Sequence, residues 1–210
     1  MADYTFFFNP MSRAQIARWA LHEAGADYEA VLVPWDDKPQ ALLDANPLGK
    51  LPTIVHHHGG HDHAVSEAAA VCHYLAEASA PELLPAVEEK ADYFRWMFFA
   101  AGPLETAVTV KAMGWETGDR EAMLGFGSYD RTIGALDQWL SVHDYVCGER
   151  FTMADVYVGS QVMWGLQFGS MPKLASFEAY WDRCSKRAAW QEGSAIDNKL
   201  IAGMQRNQGE

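Results

Sequence analysis

Three short stretches of this sequence combine residue types that do chemistry. The first is Asn9-Pro10-Met11-Ser12-Arg13, where a hydroxyl and a guanidinium follow a run of aromatics. Ser12 stands where a helix cap belongs. A hydroxyl at a helix start can also donate to an anion, beside the unsatisfied N–H groups found there. The second is Ser66-Glu67, at a junction between an extended and a helical pattern. It has two compatible readings: a cap with a first-turn acid that stabilises the helix dipole, or a ligand site formed by that same helix end. The third is the run from His56 to His63, with histidines at 56, 57, 58, 61 and 63 and a carboxylate at Asp62. Imidazoles bind zinc or nickel. Residues alternate faces along a strand, however, so these side chains are expected not to converge and no metal is expected. Cys72, Cys147 and Cys184 are too far apart for a CxxC or zinc pattern, and none lies near Ser12.

The elements that must position these residues follow from the patterning. Tyr4 to Phe8 is aromatic and β-branched and stops at Asn9-Pro10, which predicts a buried strand. From Ser12 to Gly25 the apolar spacing becomes helical. Tyr28 to Val33 reads as a second strand, and a short helix is placed within 36–45. Asn46 to Pro52, NPLGKLP, is dense in turn formers. Thr53 to His57 and His63 to Val65 are strands joined by a Gly59-Gly60 hairpin, and Glu67 to Ala78 is a helix. The order β-α-β-(α)-β-β-α is thioredoxin-like, with a βαβ unit followed by antiparallel strands.

After Pro85 the texture is helical. A long aromatic-rich helix is predicted over 88–113, kinked at Gly102-Pro103, and a second over 121–142. FTMAD at 151–155 reads as a capping box, with Thr152 at the cap and Asp155 at the third helical position, opening another helix. Further helices are expected near 175–186 and 189–205. The fold class is therefore an α/β thioredoxin-like domain over 1–78, a linker over 79–87 and an all-α domain over 88–210.

Composition narrows the function classes. Of 210 residues, 49% are apolar and 21% charged, enough to fill two small cores. The net charge of -12 repels phosphate backbones and anionic membranes, so neither nucleic acid nor membrane is an expected partner. The acidic start lacks the pattern of a signal peptide, no apolar stretch is long enough to span a bilayer, and the few, unpatterned cysteines suit a reducing compartment. A cytoplasmic location is expected.

The element order, NPLGKLPTI at 46–54, AVSEAAAVCHYLAE at 64–77 and GERFTMADVYVG at 148–159 together resemble cytosolic glutathione transferases of a bacterial type. The resemblance covers nearly the whole chain and brings with it a set of expectations. The bond before Pro52 is cis, leaving the backbone of Leu51 to pair with the cysteinyl backbone of glutathione. Lys50 lies near the glycine carboxylate. Ser66, Glu67 and the following helix end hold the γ-glutamyl group. The family usually has Ser directly after this Glu; Ala68 stands here, so one hydroxyl contact is missing. The thiolate takes a hydroxyl donor from Ser12, with Asn9 as the alternative and Arg13 in support. Counted back from Gly25, the family's Ser position falls on Met11; counted from the strand end, it falls on Asn9. Ser12 also remains readable as a plain cap.

Met11, Phe99, Pro103 and Trp164 are the residues expected to meet an apolar co-substrate in the cleft between domains. The implied activity is conjugation of the glutathione thiolate to a small apolar electrophile, a detoxification chemistry that needs no metal, by a homodimer. Two rivals stand beside it: a non-enzymatic binding module on this fold, and a glutathione-dependent reductase or ether-cleaving enzyme. The missing cysteine near Ser12 argues against the reductase.

Overall fold

The computed structural model describes residues 2–207. The chain forms two compact units. One runs up to Pro81 and takes in the segment from Lys186 onward; the other is Glu82–Ser185.

In the first unit the elements run β1 (Tyr4–Phe8), α1 (Ala14–Glu23), β2 (Tyr28–Leu32), α2 (Gln40–Ala45), β3 (Thr53–His58), β4 (His61–Ser66) and α3 (Ala68–Ser79). The four strands form one sheet in the order β2-β1-β3-β4. β1 and β2 are parallel across the α1 crossover, and β1/β3 and β3/β4 are antiparallel. Gly59 and Gly60 both have positive φ, as a two-residue hairpin turn demands.

β1 is central because both of its faces are apolar. Phe6 and Phe8 are buried on the α1 side, where the Arg18 guanidinium lies over both rings. Phe7 is buried on the other side with Val33 and Leu42, against Val31, Leu51 and Val55.

The second unit is helical: α4 (Lys90–Phe99), α5 (Glu105–Ala112), α6 (Tyr129–Leu140), α7 (Met153–Phe168) and α8 (Ala175–Ser185). The kink expected at Gly102-Pro103 is a π-helical turn, Ala100–Leu104, that joins α4 to α5. The long helix expected over 121–142 is shorter than its apolar pattern suggests. Only Glu121–Met123 makes a 3-10 turn, and α6 begins at Tyr129. The turn ends at Leu124, which is extended; Gly127 follows at φ 67°, and the Ser128 hydroxyl accepts from the Arg131 N–H at 3.4 Å, so α6 starts there.

The FTMAD capping box forms as expected, and a further contact joins its two side chains. The Asp155 carboxylate reaches back to the Thr152 N–H at 2.8 Å, while the Thr152 hydroxyl donates to that same carboxylate at 3.2 Å.

The last helix, α9 (Ala188–Asn207), departs from the expected division of the chain at residue 88, since it belongs to the first unit and packs on α1. The contact is made by Trp19 and Trp190, edge to face at 5.2 Å, by His22 against Glu192 at 3.5 Å, and by two arginine–carboxylate ion pairs. Arg18 Nε bonds Asp197 at 2.9 Å with both side chains almost fully buried, and Arg187 grips both Glu23 oxygens at 2.5 and 2.7 Å. These partners lie about 165–180 residues apart in sequence, and apolar periodicity carries no sign of such pairings.

Candidate functional site

Strand register brings three of the stretches together. Phe7 pairs with Thr53, and Thr53 pairs with Ser66. The end of β1, the start of β3 and the end of β4 therefore lie side by side at one end of the sheet. The segments that continue from them are Asn9–Arg13, Lys50–Pro52 and Ser66-Glu67. Adjacent strands are about 4.8 Å apart, so the row from the first to the third spans about 10 Å, the length of an extended tripeptide.

The turn after β1 is built by Asn9. Its side chain is buried, donates from Nδ2 to the Val33 carbonyl at 3.0 Å and accepts the Met11 N–H at 3.0 Å. Ser12 is half-buried. Its hydroxyl donates to the Asn9 carbonyl at 2.7 Å and accepts the N–H of Ala14, the first residue of α1, at 3.1 Å. The N-cap position of α1 itself is Arg13, the residue after Ser12, and the single Ser12 proton points at Asn9. Arg13 is exposed one residue on, and Met11 is 48% exposed.

The second segment owes its shape to Asn46, a residue the sequence reading passed over as one turn former among several. Asn46 is buried. Its Nδ2 donates to the Lys50 carbonyl at 3.2 Å and to the Thr53 hydroxyl at 3.1 Å, and its Oδ1 accepts the Leu48 N–H at 3.2 Å. Thr53 closes the ring by donating to the Lys50 carbonyl at 2.9 Å. The Leu51–Pro52 bond is cis. Among the described residues, neither the N–H nor the C=O of Leu51 takes part in a hydrogen bond, and Lys50 is exposed and makes no ion pair. The signal for Asn46 was its place opening NPLGKLP, where an Asx side chain can organise a turn.

At the third segment, Ser66 is not the cap of α3. Glu67 holds that position, at φ 67° and ψ 117°, alone among the described non-glycine residues in having positive φ. A side chain at positive φ strains the backbone by about 1–3 kcal/mol, and such strain concentrates where a ligand is held. No side chain caps α3, so the N–H groups of its first turn are left for another partner, and Ser66 and Glu67 stand beside them.

Comparison with known proteins decides what this end of the sheet belongs to. Residues 10–78 match the family model for the glutathione S-transferase N-terminal domain, and residues 99–188 match that for the C-terminal domain. The chain belongs to the glutathione S-transferase family. Among its relatives, glutathione S-transferase F10 of Arabidopsis thaliana is 25% identical over 91% of this chain and 95% of its own length. Glutathione S-transferase stcT of Emericella nidulans is 27% identical over 79% of this chain and 76% of its own. A theta class glutathione S-transferase from Xanthomonas axonopodis pv. citri, solved with glutathione bound, superposes with a TM-score of 0.71 at 26% identity, covering 92% of this chain and 98% of that one.

Other side chains of this transferase-family chain are placed as follows. Tyr4, early in β1, is buried with its hydroxyl bonded to Ser79 at 2.8 Å. Phe99, Pro103 and Trp164 are half-buried in the helical unit, Phe99 edge-on to Trp96 at 5.0 Å, whereas Met11 belongs to the first unit.

None of the three cysteines is in a disulfide. Burial pushes the Cys72 thiol far up and the Cys147 thiol up to about 12, so both are poor nucleophiles.

The histidine side chains do not converge, as expected: among the described residues no three surround a common point. Alternation does part neighbours within a strand, but the hairpin pairs His56 with His63 and His58 with His61, and opposed residues share a face. Four of the five histidines therefore stand on one side. His57 is on the other, with Nδ1 against Asp62 at 2.7 Å.

Proposed function

We propose that this family member is a glutathione transferase that joins the glutathione thiolate to a small apolar electrophile. The observation that carries the reading is the row of three segments at one end of the sheet, each offering a group suited to one part of the tripeptide.

At β4–α3 the unfilled N–H groups of α3 and the Ser66 hydroxyl take the γ-glutamyl carboxylate, and Glu67 pairs with the ammonium group. In the middle, the Leu51 backbone before Pro52 pairs with the cysteinyl backbone as an added strand, and Lys50 meets the glycine carboxylate. The thiol then lies toward Ser12. A free thiol has a pKa of about 8.5, and the reaction needs the thiolate. The thiol loses its proton to solvent. Ser12 turns its O–H from the Asn9 carbonyl to the sulfur and stabilises the anion, with the Arg13 charge in support. Asn9 holds the turn and is the alternative donor. The sulfur forms the new bond to carbon, and the leaving group departs with its electron pair or, in an addition, the adjacent atom takes a proton from water. Proximity and thiolate stabilisation supply the acceleration.

Met11 gives apolar cover near the sulfur, and Phe99, Pro103 and Trp164 are the proposed co-substrate contacts of the helical unit. The lack of a cysteine near Ser12, and the raised pKa of the Cys72 and Cys147 thiols, speak against the reductase alternative. We read the location as cytoplasmic, supported by three cysteines that remain thiols, and the role as detoxification. A homodimer is supported by the exposed, stacked Phe94 and Phe98 on α4.

The test is a calorimetric titration of glutathione into wild type and Ser12→Ala, with the thiolate followed by ultraviolet absorbance. Wild type should bind and hold the thiol pKa below about 8.5, and Ser12→Ala should bind with the pKa returned toward that value. Equal thiolate in both would reduce Ser12 to its turn contacts and pass its role to Asn9 or the backbone. Absence of binding to either would remove the transferase reading in favour of a non-enzymatic module.

A further inference from the structure

Two His-X-His pairs face each other across the β3–β4 hairpin, at the opposite end of the sheet from the segments above. His56 and His58 on β3 are matched with His63 and His61 on β4, so all four side chains leave the same face. Their backbone positions mark a patch of about 7 by 5 Å, set by two residues along each arm and one step between arms.

His56 is already oriented. It stacks on Tyr4 at 4.3 Å, and its Nδ1 shares a hydrogen bond with the Tyr74 hydroxyl at 2.9 Å. Nε2 is left as its ligand atom, with the outer-shell partner that metal-bound histidines usually have. The side chains of His58, His61 and His63 are exposed and, among the described residues, make no hydrogen bonds; the His58 ring lies 5.2 Å from that of His56. Asp3 and Glu77 line a cleft of about 510 Å³ with His56, His57, His58 and His63, and add negative charge around it; His61 lies outside that lining.

We propose that the face formed by His56, His58, His61 and His63 binds a divalent transition-metal ion of the zinc, nickel and copper class, which imidazole ligands favour. As the rings stand, no three of them surround a common point among the described residues. Closure takes rotation of the three exposed rings on an unchanged backbone. His57, across the sheet and engaged with Asp62 and Thr5, takes no part. The site is separate from the thiol chemistry and does not depend on it.

The experiment is titration of zinc alone, and then nickel alone, into the full untagged chain by calorimetry. It is repeated for His58→Gln/His61→Gln and for His57→Gln, with circular dichroism as the check on folding. Wild type and His57→Gln should bind one ion per chain with equal affinity, and the metal should raise the melting temperature of both. The double variant, folded, should bind about tenfold more weakly or worse. The proposal is overturned by non-saturable binding or by several ions per chain. It is also overturned by affinity unchanged in the double variant, or by an equal loss in His57→Gln.

Discussion

Asp155 shows how much one side chain can organise. Its Oδ1 accepts from the Val146 N–H and the Tyr180 hydroxyl, each at 2.9 Å, and its Oδ2 accepts from Thr152. One buried carboxylate thus ties the loop before α7, the first turn of α7 and the middle of α8. Asp155→Ala strands those donors and should destabilise the protein by about 3 kcal/mol or more in urea unfolding. Burial outweighs the four donors and raises its pKa to about 6, against about 3.9 in an unfolded chain. Between those values the native carboxyl holds more protons than the unfolded one, so this group's contribution to stability falls as pH rises from about 4 to 6. Urea midpoints across that window should fall more steeply in wild type than in Asp155→Asn; parallel slopes would show that Asp155 does not titrate there. Ser12 acts at the same scale with two roles. Loss of its hydrogen bonds to the Asn9 carbonyl and the Ala14 N–H should cost about 1 kcal/mol, separately from any change in the bound thiol.

At the scale of the element, the loop from Asn46 to Pro52 works as one piece. Gly49 has φ 58°, and a Cβ there would lie 3.0 Å from both Leu43 Cδ2 and Lys38 Cδ. Gly49→Ala meets backbone strain and crowding together and should lower stability by about 1–3 kcal/mol. Asn46→Ala removes the clasp on the Lys50 carbonyl. Lys50 and Leu51 themselves are kept, but the glutathione Kd should rise several-fold while the thiol pKa of bound glutathione stays at its wild-type value. A changed pKa with unchanged Kd would show that the loop acts on the sulfur and not on the peptide backbone.

For the molecule as a whole, the notable connection is between the chain's last helix and its first. α9 returns to α1 through the Arg18–Asp197 pair, in which Arg18 also donates to the Tyr28 hydroxyl at 2.9 Å and lies over Phe8 at 4.4 Å. Asp197→Ala leaves a buried guanidinium uncompensated and should cost about 3–5 kcal/mol, whereas Arg18→Met/Asp197→Leu should recover much of that loss. If the double variant were no more stable than Asp197→Ala, packing around Arg18 rather than its charge would hold α9. Among the described residues no helix is long and apolar enough to cross a membrane.

Where apolar period, turn chemistry and capping agreed over a short span, the sequence by itself determined the element. β1 with its Asn-Pro stop, the Gly59-Gly60 hairpin, the Gly102-Pro103 irregularity and the helix opened by FTMAD are all local, and local preference is what residue types encode. The three site segments were legible for the same reason, since each lies at a strand end or helix start marked by its own turn formers. The 121–142 segment misled because an apolar pattern continued through Gly125 and Gly127, and local breakers won there. What only the tertiary structure decided depends on partners distant in sequence. The register set the three segments in one row and four histidines on one face, the fold gave the Ser12 proton to Asn9 and four donors to Asp155, and long-range ion pairs returned α9 to α1. Each is a relation between residues that composition and spacing leave independent until the chain folds.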